Sequence, residues 1–338
     1  MMKYRLLASI VALSMTSAAT YAQKQNLFNH MELGITLGST GYGLDLSMPV
    51  TDWARLRTGF SYVPKIEVPM TFGVQVGDDP TTSQSKFDKL SGYLSSFTGN
   101  QVKSEVEMIG RPNFWNWNFM VDVFPLKNNR HWHATVGFFL GPKKVAEAYN
   151  KTESMASLLA VSIYNNLYDK LYGLGPRELI KVKIIDIPDL EEFGNDPNVL
   201  KKLQQGMEYY GRMGVKLGTY SHDIEDDEGN VVHKQGETYL MDPDESSMVS
   251  ADMKVNAFKP YFGVGYDGHL TKHDDRLTVG FDAGIMLWGG TPHLTTHDGT
   301  DLIHDVENIK GKVGDYVSAM ESFKAFPLLN FRIAYRLF

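Results

Sequence analysis

Apolar positions alternate with polar or glycine positions in runs of about ten residues, the period of a strand with two unlike faces. The clearest run is 276–287: Leu277, Val279, Phe281, Ala283, Ile285 and Leu287 form one face, and Arg276, Thr278, Gly280, Asp282, Gly284 and Met286 the other. Residues 113–124 repeat it, with Trp115, Trp117, Phe119, Val121 and Val123 opposite Asn116, Asn118, Met120, Asp122 and Phe124. Near the end of the chain Leu329, Phe331, Ile333, Tyr335 and Leu337 alternate with Asn330, Arg332, Ala334 and Arg336. Five weaker runs, 31–38, 42–48, 54–63, 131–140 and 258–267, bring the count to eight. A helix would scramble both faces of each run.

Which face is buried decides the fold class. The polar face carries the acids Glu32, Asp45, Asp122, Asp267 and Asp282 and the bases Arg55, Arg57, Lys259, Arg276, Arg332 and Arg336. A soluble sandwich would turn these to water and bury the oily face. A narrow closed barrel does the reverse: acids and bases pair across the lumen and plug it, while the oily face meets lipid and the ladder satisfies the backbone. Trp53, Tyr62, Trp115, Trp132, Tyr266, Trp288 and Tyr335 lie near run ends, where membrane barrels carry aromatic girdles. The expected fold is an all-β membrane barrel of eight antiparallel, up-and-down transmembrane strands.

Connection lengths assign the sides. Short links at Pro49-Val50-Thr51-Asp52, 125–130 and 268–275 alternate with long ones at 64–112, 141–252 and 289–323, apart from a tight Ser39-Thr40-Gly41 turn. Short periplasmic turns and long extracellular loops produce this alternation and leave both chain ends in the periplasm. The long loops carry helical periodicity. Met155, Leu159, Ile163, Leu167 and Leu171 predict an amphipathic helix over 153–172. Val199, Leu200, Leu203 and Met207 follow an Asp196-Pro197 start signal, and Leu302, Val306, Ile309, Val313 and Val317 form a stripe in the last loop. Phe87, Leu90, Leu94 and Phe97 make a weaker one. Such stripes bury one another over the barrel mouth or line a groove for an apolar ligand. Gly229-Asn230 predicts a hairpin that either stands above the membrane or adds two strands, making ten.

The start of the chain adds a destination. Lys3 and Arg5 precede an apolar stretch, 6–15, too short to span a bilayer, and Thr20-Tyr21-Ala22 supplies small residues for cleavage between Ala22 and Gln23. Residues 1–22 are therefore expected to be a signal peptide, and 23–338 an outer-membrane barrel. With no cysteine, disulfides contribute nothing to stability. The formal net charge of −7, more negative once Lys3 and Arg5 are removed, speaks against nucleic acid as a partner.

Candidate chemistry is sparse. His293, His297, Asp298, Asp301, His304 and Asp305 cluster in the last long loop. Imidazole and carboxylate donors suit zinc and its neighbours, but spacing alone supplies no geometry, so a solvated polar loop is the simpler expectation. The run Asp223, Glu225, Asp226, Asp227 and Glu228 lacks the order of an EF-hand and reads as a hairpin tip. His269, His273 and Asp274 fall on a periplasmic turn and His131 and His133 at a periplasmic strand end, and no nucleophile and base stand in catalytic order. No cofactor, resident metal or catalysis is expected.

The Pro49-Val50-Thr51-Asp52-Trp53 turn, the run from Phe258 through Lys259-Pro260-Tyr261 to Tyr266, and the final Ala334-Tyr335-Arg336-Leu337-Phe338 together resemble small outer-membrane barrels of Gram-negative bacteria, the OmpW-like and OmpA/OmpX-type proteins. The resemblance covers the eight runs and leaves out 141–252. It implies residence in the outer membrane, contact with its lipid, and a terminal strand read by the barrel-assembly machinery. Family members end aromatic-x-Phe; here Leu337 holds the final place of that register and Phe338 lies one residue beyond. Fold does not transfer function. The expectation is a structural, binding or surface-interaction barrel acting through an extracellular cap toward a ligand or partner. The alternatives are a channel or transporter for small solutes or apolar ligands, or a barrel enzyme acting on lipid.

Overall fold

A computed structural model describes residues 30–76, 80–126, 129–171, 201, 205–206, 208–226, 228–244, 246–270, 276–309, 311–322 and 324–337. The expected leader with its cleavage site, and the whole Val199, Leu200, Leu203 and Met207 stripe behind Asp196-Pro197, lie outside these described residues.

The alternating runs form eight barrel strands: β1 (Glu32–Gly38), β2 (Gly41–Thr51), β3 (Ala54–Val63), β4 (Phe114–Val123), β5 (Trp132–Leu140), β6 (Phe258–His269), β7 (Leu277–Leu287) and β8 (Ala325–Arg336). Each pairs antiparallel with its sequence neighbours, and β1 closes the ring on β8, with Ile35 opposite Ile333. Closure removes the sheet edges, so no ladder group needs water. The hairpin alternative is settled: Ile224–Glu225 pairs with Val231–His233 outside the ring, which stays at eight. Asp226 ties its tip by accepting the N–H groups of Glu228 and Asn230.

The oily face is the outer face. Ile35, Leu44, Phe60, Phe262, Val264, Phe331 and Ile333 are among the large apolar side chains left exposed around the barrel, on every second position. No helix among the described residues is long and apolar enough to cross a membrane; the strands do it. Trp53, Trp115, Trp132 and Tyr335 are exposed toward the strand ends. Trp288 departs from the expected girdle. It is buried, stacked on Phe326 with ring centroids 5.5 Å apart, because the chain turns inward over the lumen after β7.

Beyond one mouth the barrel wall keeps growing on one side. Strands Val68–Gly73, Glu105–Pro112, Lys144–Asn150, Ser250–Lys254 and His293–Thr296 form a five-stranded sheet in that order. They are the upward continuations of β3 to β7 and keep the same neighbours. β1 and β2 cannot take part, since Ser39 and Thr40 turn the chain straight back. A second sheet joins Met213–Tyr220 to Thr238–Met241, Val306–Glu307 and Gln75–Val76. Helices α1 (Pro80–Thr98), α2 (Met155–Leu171) and α3 (Gly311–Ser322) share with these sheets a core that includes Val76, Phe87, Val106, Leu158, Val161, Met213 and Val317.

The long loops hold the expected helices and, beside them, strands that extend walls that already exist. Two expectations about this cap are corrected. The last-loop stripe does not form one helix: Leu302 sits in a turn and Val306 in a strand, and only Val313 and Val317 lie on α3. All four still join the same core. Helix α2 is present, but its deepest face is Ser157, Leu158, Val161, Tyr164 and Asn165, whereas Met155, Leu159, Ile163 and Leu167 are half-buried. Polar groups set that rotation. Ser154 and Ser157 accept the N–H groups of Glu107 and Lys103, and Asn165 both donates to the carbonyl and accepts from the N–H of Met213.

Candidate functional site: the sealed lumen and the cap

Alternation sends the residues of one face of every strand into the lumen. On β3 these include Arg55 and Arg57, on β4 Asp122, on β6 Asp267 and on β7 Asp282. Together with His133 from β5 they close a ring of opposite charges. Arg55 donates to Asp122 at 2.9 Å and to Asp267 at 2.6 Å. His133 stands 3.6 Å from Asp267 and 3.1 Å from Asp282. Arg57 donates to Asp282 and, at 3.1 Å, returns to Asp122. Thr135 adds a hydroxyl to Asp122 at 2.7 Å.

A smaller group lies beside it. Arg332 on β8 donates to Asp45 at 2.9 Å and to Ser47 at 2.8 Å, and Ser47 donates to Glu32 at 3.1 Å. Such groups are costly to desolvate, and near-complete pairing is what makes their burial tolerable. Small residues make the room: a Cβ on Gly34 would stand 2.8 Å from the Arg332 Nε.

Toward the cap the filling changes character. Met120, Phe139, Tyr261, Met286 and Leu328 cross the lumen as a buried apolar layer, roofed by Val145, Val255 and Trp288. Between the layers a void of about 30 Å³ remains, lined by Asp45, Arg57, Tyr261 and Asn330 among others, which is room for a water molecule or two. The lumen is thus stopped twice, by ions and then by hydrocarbon.

Of the eleven sequence candidates, Glu32, Asp45, Arg55, Arg57, Asp122, Asp267, Asp282 and Arg332 meet in these networks. Three do not. Lys259 is fully buried, but the register sets it beside Phe139 in the apolar layer, where its ammonium donates to Asn116 at 3.3 Å. Arg276 is exposed in the turn before β7, and Arg336 lies at the same mouth opposite Glu32, its Nε without a hydrogen-bond partner among the described residues. His133, expected among the strand-end histidines, shares the inward face of Thr135 and Phe139. Period two counted back from Phe139 is the signal that finds it.

The cap sorts the histidine and aspartate cluster into two groups. His297 Nε2 lies 2.8 Å from the Asp242 carbonyl oxygen, and Asp298 accepts the hydroxyls of Thr296 at 2.6 Å and Tyr239 at 2.8 Å; both pin a turn. His293, Asp301 and His304 come together separately. Both histidines present Nδ1 to one carboxylate oxygen of Asp301, at 2.6 Å and 2.9 Å. Asp122, His133 and Asp282 also gather in the lumen, but the guanidinium groups of Arg55 and Arg57 occupy their carboxylates, so a dication would meet two fixed positive charges. At the junction of barrel and cap lies a cleft of about 520 Å³, lined by Tyr62, Lys65, Arg111, Trp115, Lys144 and Glu147. Glu147 pairs with both Arg111 and Lys144 there.

No family model and no curated protein matches the chain. Among solved structures it is similar to Acinetobacter baumannii CarO2, at 12% identity and a TM-score of 0.33 over 91% of this chain and 98% of that one. Acinetobacter baumannii CarO gives 10% identity and 0.33 over 90% and 96%, and a major outer membrane protein from Thermus thermophilus gives 10% and 0.27 over 91% and 98%. Agreement this slight carries no argument, and the closed eight-stranded membrane barrel rests on the register of its own strands.

Proposed function

We propose that the chain is a non-catalytic outer-membrane protein: a sealed barrel that anchors its large cap at the cell surface, where the cap binds a ligand or a partner. The observation that carries this reading is the double stopper. A small-solute channel needs a continuous wet path, whereas here Arg57 spans the lumen to Asp282 and the layer of Met120, Phe139, Tyr261, Met286 and Leu328 follows directly. The apolar outer belt and the short turns opposite a massive cap support residence in the outer membrane, cap outward. Its lipid is the barrel's immediate partner, and β8 with its Tyr335-Arg336-Leu337 end is the segment offered to the assembly machinery.

Reconstitution into planar bilayers tests the sealed-barrel reading. The folded protein should give no steady single-channel current in symmetric salt. Sustained, uniform conductance steps would reassign it as a channel. Lipid analysis of cells with and without the protein tests the non-catalytic part, and a shift in acyl composition would overturn it.

A further inference from the structure

We propose that His293, Asp301 and His304 form a binding site for a divalent transition-metal ion of the zinc or copper class on the cap. Three potential donor atoms, two imidazole nitrogens and one carboxylate oxygen, lie within 4.8 Å of one another. Asp301 and His304 are neighbours in sequence, and the fold brings His293 to them. His293 opens a strand paired to Ser250–Lys254, opposite Lys254, while Asp301 and His304 share one turn in the following loop.

Asp301 is held in place by its other atoms. Its Oδ1 accepts the N–H groups of Leu294 at 3.1 Å and Ile303 at 3.0 Å, and its own N–H donates to the Asp305 carboxylate at 2.8 Å. The remaining oxygen, Oδ2, is thereby directed at the two rings. The rings stack with centroids 4.5 Å apart and an interplanar angle of 26°, so both Nδ1 atoms converge from one side. Backbone donors that orient a ligating carboxylate are the outer-shell arrangement found around built metal sites.

Charge and access also agree. The salt-bridge partners of Asp301 are these two histidines, with no Lys or Arg among the described residues, in contrast to the lumen cluster. The His293 and His304 side chains are 59% and 41% exposed, so an ion can enter and the rings can adjust. Zinc bonds of about 2.0–2.2 Å in tetrahedral array would hold donors about 3.3 Å apart, so from 2.6 Å and 2.9 Å the His293 ring would move about 0.7 Å and the His304 ring about 0.4 Å away from Asp301 Oδ2. Two nitrogens and one oxygen favour zinc, copper(II) or nickel over calcium or magnesium, which require oxygen donors. Three protein donors leave a coordination position for water, as in exchangeable sites.

The test uses the full chain without a histidine tag, folded in detergent and stripped with chelator. Titration calorimetry with zinc and electron paramagnetic resonance with copper(II) read the site. The expected result is one ion per chain, a copper spectrum with nitrogen coupling, and affinity lowered about tenfold or more in His293→Ala, in His304→Ala and in Asp301→Asn. His297→Ala and His222→Ala should bind as the parent does. Heat-modified gel mobility and near-ultraviolet circular dichroism report that barrel and cap are intact in each variant. No binding by the parent, or binding that survives in the His293→Ala/His304→Ala double variant, would overturn the proposal. Neither outcome bears on the sealed-lumen reading, which conductance tests separately.

Discussion

Arg57 on β3 reaches straight across the lumen to Asp282 on β7, donating through both terminal nitrogens at 2.6 Å and 2.8 Å. The two strands stand four places apart in the ring of eight, the largest separation it allows. A planar fork on a carboxylate fixes orientation as well as distance. One side chain thereby braces opposite walls.

Removing half of that brace should cost more than removing all of it. Arg57→Leu leaves Asp282 and Asp122 short of a partner in the buried lumen, and a loss of about 3–5 kcal/mol is expected. Arg57→Leu combined with Asp282→Leu should be less destabilised than either single variant. Arg332→Leu should weaken the barrel through Asp45 in the same way. Denaturant titration in micelles, followed by heat-modified gel shift, measures each; strict additivity would show that the pairs act independently.

The apolar stopper has a built-in space requirement. Gly263 and Gly284 flank the Tyr261 hydroxyl, and a Cβ at Gly263 would collide with it. Gly263→Val should displace the ring and destabilise the barrel by about 1–3 kcal/mol, the usual range for overpacking. An unchanged melting temperature would mean that Tyr261 has another rotamer to occupy.

Lipid exposure can be tested by charge. Ile333 is 55% exposed between Ile35 and Val279 on the outer face. Ile333→Arg should cost about 2–4 kcal/mol of folding free energy in a bilayer if that position is near the midplane. Folding titrations in lipid vesicles would detect it. A neutral effect would argue that this face is not in hydrocarbon.

The cap should weaken at both extremes of pH. Burial alone would raise the Asp298 carboxyl, but donors from Thr296, Thr300 and Tyr239 outweigh it and hold it below its ordinary 3.8. Its stabilising contribution is therefore present above that value and lost as pH falls below it. Tyr239 is pushed up from its ordinary 10.0 by burial and by the Asp298 charge, so its contribution is present below that value and lost above it. Hydrogen exchange of the cap amides across the pH range should show protection falling first around Tyr239 and Asp298. Protection unaffected by Asp298→Asn and Tyr239→Phe would remove these groups from the account.

Sequence is legible where the cause is local. The pleat places residues i and i+2 on one side, so Leu329, Phe331 and Ile333 reveal their face without knowledge of any partner. Eight of the lumen side chains are legible for that reason. Lys259 and Trp288 are not, because alternation tells that a side chain points inward and not at what height. His133 lies between these cases: period two from Phe139 turns it inward, but only the closed ring brings it to Asp267 and Asp282.

What the chain determined by itself, then, is eight alternating runs, their inner and outer faces, and the presence of helices in the long loops; only the pairing showed that the Gly229-Asn230 hairpin adds no strand to the ring. Tertiary structure alone decided that the loop strands prolong the wall on one side, that α2 turns Ser157 and Asn165 inward, and that His293 meets His304. Periodicity is written in neighbouring residues, whereas register, depth and the convergence of distant donors depend on which strands pair once the ring has closed.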